Sequence, residues 1–181
     1  MRRADSFPMP QRFSRLAAAC GLSALMLAGA AHAGLLFDDK ENAKPELAAP
    51  VPPPFNPDKT IAVDARVGRS LDVGIDPDTL TSDSDGVVRY VMVARTSSGA
   101  ITATYEGVRC STAEVKQYAR HYRDGDWQPV AEPRWQSLFS GGSVNYSLMA
   151  AKAGVCQDAS SGGSKQRILQ NLQNDVMRNM P

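Results

Sequence analysis

The chain has 181 residues, of which 43% are hydrophobic, and its 20 Lys and Arg side chains nearly balance its 19 Asp and Glu side chains. This balance gives no electrostatic reason to bind nucleic acid or an anionic membrane, because both require clustered positive charge. The composition therefore excludes nucleic acid as an expected partner.

The N-terminal segment predicts export. Residues 1–33 combine a basic leader with an apolar run over 16–31 and an Ala31-His32-Ala33 pattern of the kind that signal peptidases cut. The apolar run is shorter than the about 20 residues that a transmembrane helix needs. We expect cleavage near Ala33, release into the periplasm and no transmembrane segment in the mature chain, where 16 basic side chains face 18 acidic ones.

Residues 34–59 hold six of the twelve prolines. Such a segment favours extended polyproline geometry and has little apolar surface to bury. We therefore predict a flexible Pro-rich linker, without stable contacts over residues 38–59, and leave open that it binds a partner. The folded domain then spans residues 60–181.

The first half of this domain predicts antiparallel strands. The sequence RSLDVGI predicts a short strand that ends before Asp76-Pro77. A hairpin follows, with strands over 87–95 and 100–109 and a turn that contains Gly99. Its first strand is apolar on both faces, which is typical of a central strand. Gly107 indicates a β-bulge in the second strand.

Residues 111–130 support two interpretations. Ser111 and Glu114 match a helix capping box, and apolar residues follow at helical spacing. In contrast, Asp124-Gly125 between two aromatic-rich runs indicates a short hairpin. We favour a helical turn at 111–115 and a strand over 116–122, paired with a strand around 127–130. Whether 116–122 is strand or helix stays open at this stage.

Two helices are predicted towards the C-terminus. The first runs from about Ser143 to Gly154, and the second is an amphipathic terminal helix with an apolar stripe formed by Ile168, Leu169, Leu172 and Val176. The expected fold class is α+β: a single small domain in which an antiparallel sheet of about five strands is covered by one or two C-terminal helices.

Cys110 and Cys156 are the cysteines that remain after signal cleavage. In an oxidising compartment an even pair most often forms a disulfide. The C-x-x-C spacing of redox-active pairs is absent, and a zinc site would find only His121 as a further imidazole ligand. We expect a structural Cys110–Cys156 disulfide and neither a metal nor another cofactor.

The sequence contains none of the hydrolase motifs G-x-S-x-G, S-x-x-K and H-E-x-x-H. His121 lies among basic and aromatic residues rather than beside a serine. Glu106 with Asp124 or Asp126 would be the carboxylate pair of a glycosidase if they converged. We expect no catalytic residues and no enzyme activity. The alternative is a cell-envelope hydrolase that acts on a glycan or peptidoglycan.

Aromatic and basic side chains concentrate in the middle of the domain. Aromatic rings stack on sugars, and arginines bind carboxylates. The predicted binding surface comprises Tyr118, Arg120, Tyr122, Trp127 and Trp135. Its partner would be an envelope protein or a cell-wall component, such as a glycan or a peptidoglycan carboxylate. The other interpretation is that these rings fill the core of a small sheet.

Several short motifs carry a resemblance to a known family. The hairpin ends in YEGVRC, and VKQYAR, DGDWQPV, EPRWQSL and a helix that ends in a cysteine follow. Over roughly residues 80–160 the chain resembles the cryptic neisserial protein-like family of small exported proteobacterial proteins. The resemblance implies an envelope location and assigns no activity, so it transfers no catalytic residues.

The export prediction has a direct test. N-terminal sequencing of the protein recovered from the periplasm should begin at Gly34, because the Ala-His-Ala pattern ends at Ala33. A lipid-modified N-terminus at Cys20 would contradict this reading and indicate a lipoprotein.

Overall fold

The computed structural model describes residues 44–63, 70–123, 125–140 and 145–179. They belong to one compact unit, Asp38–Pro181. The strands are β1 (Ile61–Ala62), β2 (Leu71–Ile75), β3 (Thr81–Ser82), β4 (Val87–Thr96), β5 (Ile101–Arg109), β6 (Glu114–Tyr122), β7 (Gln128–Pro129), β8 (Gln136–Ser137), β9 (Cys156–Gln157) and β10 (Ser160–Ser161). The helices are α1 (Tyr146–Ala150), which continues as a π-helical turn (Ala151–Val155), and α2 (Lys165–Asn179). The predicted signal peptide, Asp124 and Ser143 lie outside the described residues.

The main sheet is antiparallel, with the order β1-β2-β4-β5-β6-β7, while β3 pairs with β4 and β8 pairs with β6. Its centre is the β4–β5 hairpin, and β4 lies between β2 and β5 as its two apolar faces predicted. The α+β prediction is confirmed. Within the described residues the sheet has eight strands rather than about five, because two-residue strands extend its edges.

Alternate residues of β4 point to opposite faces of the sheet, as the pleat of a strand requires. On one side, called the helix face, Tyr90 and Met92 pack in the main core with Ile168 and Leu172 of α2. This packing confirms the terminal amphipathic helix. The opposite side, called the arm face, buries a smaller cluster of Val91, Val93, Ala103, Tyr105 and Ala119.

Three local features define the helical segments: a cap, a close approach and a disulfide. Asn145 caps α1, since its side-chain oxygen accepts a hydrogen bond from the backbone N–H of Leu148 at 3.0 Å. Gly154 has φ +144°, and a Cβ there would lie 2.4 Å from the Cβ of Asn171, so glycine allows the π-helical turn to approach α2. The expected disulfide between Cys110 and Cys156 is confirmed.

Residues 111–130 adopt the strand interpretation. The helical turn is limited to a 3₁₀ turn at Cys110–Thr112, β6 runs over Glu114–Tyr122, and β7 pairs with β6 as expected. The bulge predicted near Gly107 is present, but its extra residue, Tyr118, lies in β6. A Cβ at position 107 would lie 2.7 Å from the Tyr118 hydroxyl, so glycine makes room for the ring.

Residues 44–59, called the arm, differ from the contact-free linker that the sequence predicted. Buried Asp85 accepts a hydrogen bond from the backbone N–H of Leu47 at 2.9 Å, and buried Asp76 accepts one from Asn56 at 2.7 Å. Phe55 packs against the arm-face cluster. Proline does remove backbone donors, but aspartate side chains bind N–H groups of the residues between the prolines. Residues 38–43 lie outside the described part of the chain.

The disulfide should carry much of the stability of so small a domain. We expect the double variant Cys110→Ala/Cys156→Ala to lose about 4 kcal/mol of unfolding free energy, because the bridge closes a long loop in the unfolded chain. Thermal denaturation of wild type and variant measures the loss. Thiol labelling of native protein isolated without reducing agent should find no free cysteine at these positions, and two reactive thiols would refute the bridge.

Candidate functional site

A cleft of about 360 Å³ opens on the helix face between the sheet and the segment that leads into α1. Its polar lining consists of hydroxyl and amide groups, including those of Thr102, Thr104, Gln117, Ser137, Asn145 and Ser147. Val73 and Met92 add apolar surface. Among the described residues that line it, Glu106 is the one acid, and none is a lysine or arginine.

Glu106 reaches the cleft from β5, where it pairs with Tyr90 of β4 and Gln117 of β6. The side chain is 1% exposed, and the Tyr90 hydroxyl donates a hydrogen bond to it at 2.9 Å. Burial raises the pKa of Glu106, although hydrogen bonds from Tyr90, Ser147 and Thr104 favour the charged form. A neutral carboxyl group both donates and accepts hydrogen bonds.

The other candidate catalytic groups lie elsewhere. His121 pairs with Ala103 on the arm face, where its ring lies 5.0 Å from that of Phe55 and 5.5 Å from that of Trp127. Asp126 is exposed and does not line the cleft, and Asp124 lies outside the described residues. The structure therefore does not bring Glu106 together with His121 or Asp126.

The five residues of the predicted binding surface divide between the two faces. Tyr118, Trp127 and Trp135 lie partly buried on the arm side of the sheet. Arg120 and Tyr122 are exposed. They lie on the helix-face side, because they pair with cleft-lining residues of β5. The structure thus does not assemble these side chains into one continuous patch.

Arg120 and Tyr122 instead border the cleft. Arg120 pairs with Thr104, and its guanidinium donates hydrogen bonds to the side-chain oxygen of Gln117 at 2.9 and 3.2 Å. Tyr122 pairs with Thr102 and is 53% exposed. An aromatic ring and a guanidinium are thus placed beside the neutral polar lining.

On the arm face, the central residue is one that sequence reasoning missed. The Glu46 carboxylate accepts hydrogen bonds from Lys116 at 2.7 Å, the Tyr118 hydroxyl at 2.7 Å and the Trp135 indole at 3.1 Å. An Arg89 nitrogen lies 3.8 Å away. A single glutamate in a Pro-rich segment belongs to no periodic pattern, so the sequence offered no signal for this contact.

The electrostatics of this cluster favour an ionised Glu46. Burial alone would raise the pKa of Glu46, but the hydrogen bonds from Lys116, Tyr118 and Trp135 bring it below its ordinary value. Burial and the neighbouring Glu46 carboxylate both raise the pKa of Tyr118, so its hydroxyl keeps the proton that it donates. The cluster therefore binds a carboxylate anion.

Arg89 connects this cluster to the turn before β4. Its side chain is 1% exposed, and it forms ion pairs with Asp83 at 2.8 Å and Asp85 at 2.7 Å. Burial alone would lower the pKa of Arg89, but the hydrogen bond to Asp85 holds it above its ordinary value. Arg89 also donates to the backbone carbonyl of Leu47 at 3.3 Å.

In the part of the chain that the structure describes, no three His, Cys, Asp or Glu side chains converge in a way that could hold a metal ion. No helix within those same residues is long and apolar enough to span a membrane.

Comparison with known protein families finds a match over most of the chain. The sequence model of the CNP1-like family matches residues 39–173. No curated protein and no solved structure matches the chain. The matched range includes the arm, the cleft and both bridged cysteines, so all three lie within the family's domain.

The raised pKa of Glu106 predicts a pH-dependent stability. When a carboxyl group has a higher pKa in the folded protein than in the unfolded chain, it stabilises the fold. This contribution is fully present at pH values below the unfolded-state pKa and is lost as the pH rises through the folded-state pKa. Relative to Glu106→Gln, wild type should therefore lose unfolding free energy as the pH rises from about 4. Urea denaturation across pH measures this difference, with Glu132→Gln as the control for removal of an exposed carboxylate. A difference independent of pH would contradict the assignment.

Proposed function

The chain belongs to the CNP1-like family, and we propose that it is an exported, non-catalytic module of the periplasm that binds a cell-wall saccharide in the cleft around Glu106. The observation that carries the proposal is the chemistry of the cleft, whose lining combines hydroxyl and amide groups with apolar side chains and has Glu106 as its one acid among the described residues. Exposed Tyr122 and Arg120 pair with cleft-lining residues of β5.

Two features support export to the periplasm. Residues 1–33 have the pattern of a cleaved secretory signal. Cys110 and Cys156 form a disulfide, a bond that persists in oxidising compartments and is rare in the cytosol.

The lining of the cleft suits saccharide hydroxyl groups, which both donate and accept hydrogen bonds. The amide of Gln117 and the hydroxyls of Thr102 and Thr104 can do the same. The apolar surface of Met92 suits the C–H face of a sugar ring, and Tyr122 offers a ring for stacking. A volume of about 360 Å³ lies in the range of small-molecule sites.

Binding is favoured over hydrolysis because glycoside hydrolysis ordinarily uses two carboxyl groups that flank the scissile bond. Glu106 is the one carboxyl group among the described residues that line the cleft. Its raised pKa is the observation that supports the alternative, a cell-envelope hydrolase with Glu106 as general acid.

Co-sedimentation of the mature chain with purified peptidoglycan tests the proposal. Gln117→Leu removes a cleft hydrogen-bonding group and should weaken binding by about fivefold, the effect of losing about 1 kcal/mol of hydrogen bonding. Gln170→Leu, on the exposed surface of α2, is the matched control and should bind like wild type. Absence of binding by wild type, or equal binding by both variants, would overturn the proposal. Release of reducing sugar that Glu106→Gln abolishes would establish the hydrolase instead.

A further inference from the structure

We propose that the arm face carries a peptide-binding site, which recognises a glutamate side chain and the backbone of the residue that follows it. In this structure the chain's own Glu46-Leu47 occupies the site. An extended acidic segment of a partner protein binds there by displacing the arm. This site lies on the opposite face from the cleft, so the inference does not rest on saccharide binding.

The first half of the site binds the glutamate carboxylate. Lys116 and Tyr118 lie in β6, and Trp135 lies just before β8, so all three donors belong to the sheet region. The acceptor that they share, the Glu46 carboxylate, comes from the arm. Departure of the arm would leave three hydrogen-bond donors pointing at one position, where another carboxylate fits.

The second half of the site binds the backbone N–H and C=O groups of the residue that follows the glutamate. Asp85 accepts a hydrogen bond from the N–H of Leu47 at 2.9 Å, and Arg89 donates one to its C=O at 3.3 Å. The Leu47 side chain is 50% exposed. The site therefore selects a glutamate followed by a residue with a free N–H, which excludes proline, and it places little demand on that residue's side chain.

Contacts outside the arm hold the site in shape. Arg89 is fixed by ion pairs with Asp83 and Asp85. The Tyr118 ring fills the space above Gly107. The guanidinium of Arg109 lies 4.2 Å from the centre of the Trp135 ring. Such preorganisation lowers the entropy that a ligand loses when it binds.

The arm is held unevenly along its length, which makes local displacement feasible. Near its end, Phe55 packs against His121 and Trp127, with ring centroids 5.0 and 5.6 Å apart. At Glu46-Leu47 the contacts are polar, and Val51 is 86% exposed. The segment before Phe55 can therefore leave the sheet while the aromatic anchor stays in place.

Charge complementarity favours an acidic peptide as the incoming partner. The Lys116 side chain is 16% exposed, and its ammonium pairs with Glu46 at 2.7 Å. When the arm leaves, Lys116, Tyr118 and Trp135 lose the carboxylate that they share. The open site would therefore favour a ligand that restores the carboxylate over one that presents only an apolar or neutral surface.

Fluorescence anisotropy with labelled peptides tests the proposal on the full mature chain. Glu46→Ala removes the competing carboxylate, and this variant should bind a peptide of residues 44–51 at least about tenfold more tightly than wild type does. The reason is that the tethered arm competes at an effective concentration in the millimolar range. Peptides carrying Glu46→Gln or Leu47→Pro should each bind the variant at least about tenfold more weakly than the parent peptide, since each lacks one recognised group.

Three controls make the result decisive. Glu46→Gln in the chain, which keeps the side-chain shape, should give the same ranking of peptides, and circular dichroism verifies folding. Adding Lys116→Met to Glu46→Ala should abolish the preference for glutamate over glutamine.

No binding by either Glu46 variant, or equal binding of the glutamate and glutamine peptides, would overturn the proposal. A dimer by light scattering that exchanges arms but does not bind the free peptide would assign the site to a second copy and overturn it as well.

Discussion

The buried guanidinium of Arg89 connects the central strand β4 to the turn before it and to the arm. It lies on the central strand β4 at 1% exposure, and a charge at that depth requires counterions and hydrogen bonds. Asp83 and Asp85 supply the charge, and the Leu47 carbonyl accepts a further hydrogen bond. Asp85 in turn accepts the N–H of Leu47. The arm thus adds hydrogen bonds to a buried ion pair, which makes it part of the folded domain.

Successive side chains of β5 point to opposite faces of the sheet, so the strand contributes to two different sites. Glu106 faces the helices and the neutral cleft, whereas Tyr105 faces the arm. Gly107, also on the arm side, leaves room for Tyr118 within the carboxylate cluster. One strand therefore lines the cleft with Glu106 on one face and supports the Glu46 carboxylate cluster on the other. The two proposed sites can be altered independently.

Much of the fold was accessible from the sequence because its signals are local. The β4–β5 hairpin follows from two β-rich runs around Gly99, and α2 follows from the spacing of Ile168 and Leu172. The Cys110–Cys156 pair follows from the number of cysteines and the predicted export signal. The two-residue strands β3, β7 and β8 are defined by their partners, so composition alone does not reveal them.

The sites were harder to predict, for two physical reasons. Simple alternation would place Tyr118, Arg120 and Tyr122 on one face, but the bulge at Tyr118 shifts the register and moves the latter two to the opposite face. The arm is held by Glu46 and by aspartates that bind its backbone, and such contacts leave no periodic trace in the sequence.

Amide hydrogen exchange measured by NMR on residues 34–181 tests most directly whether the arm belongs to the fold. The N–H groups of Leu47 and Asn56 should exchange far more slowly than those of an unstructured peptide, because buried aspartates bind them. In Glu46→Ala the protection of Leu47 should fall, while that of Asn56, beside the Phe55 anchor, should remain. Exchange of both amides at unstructured-peptide rates in wild type would contradict the account.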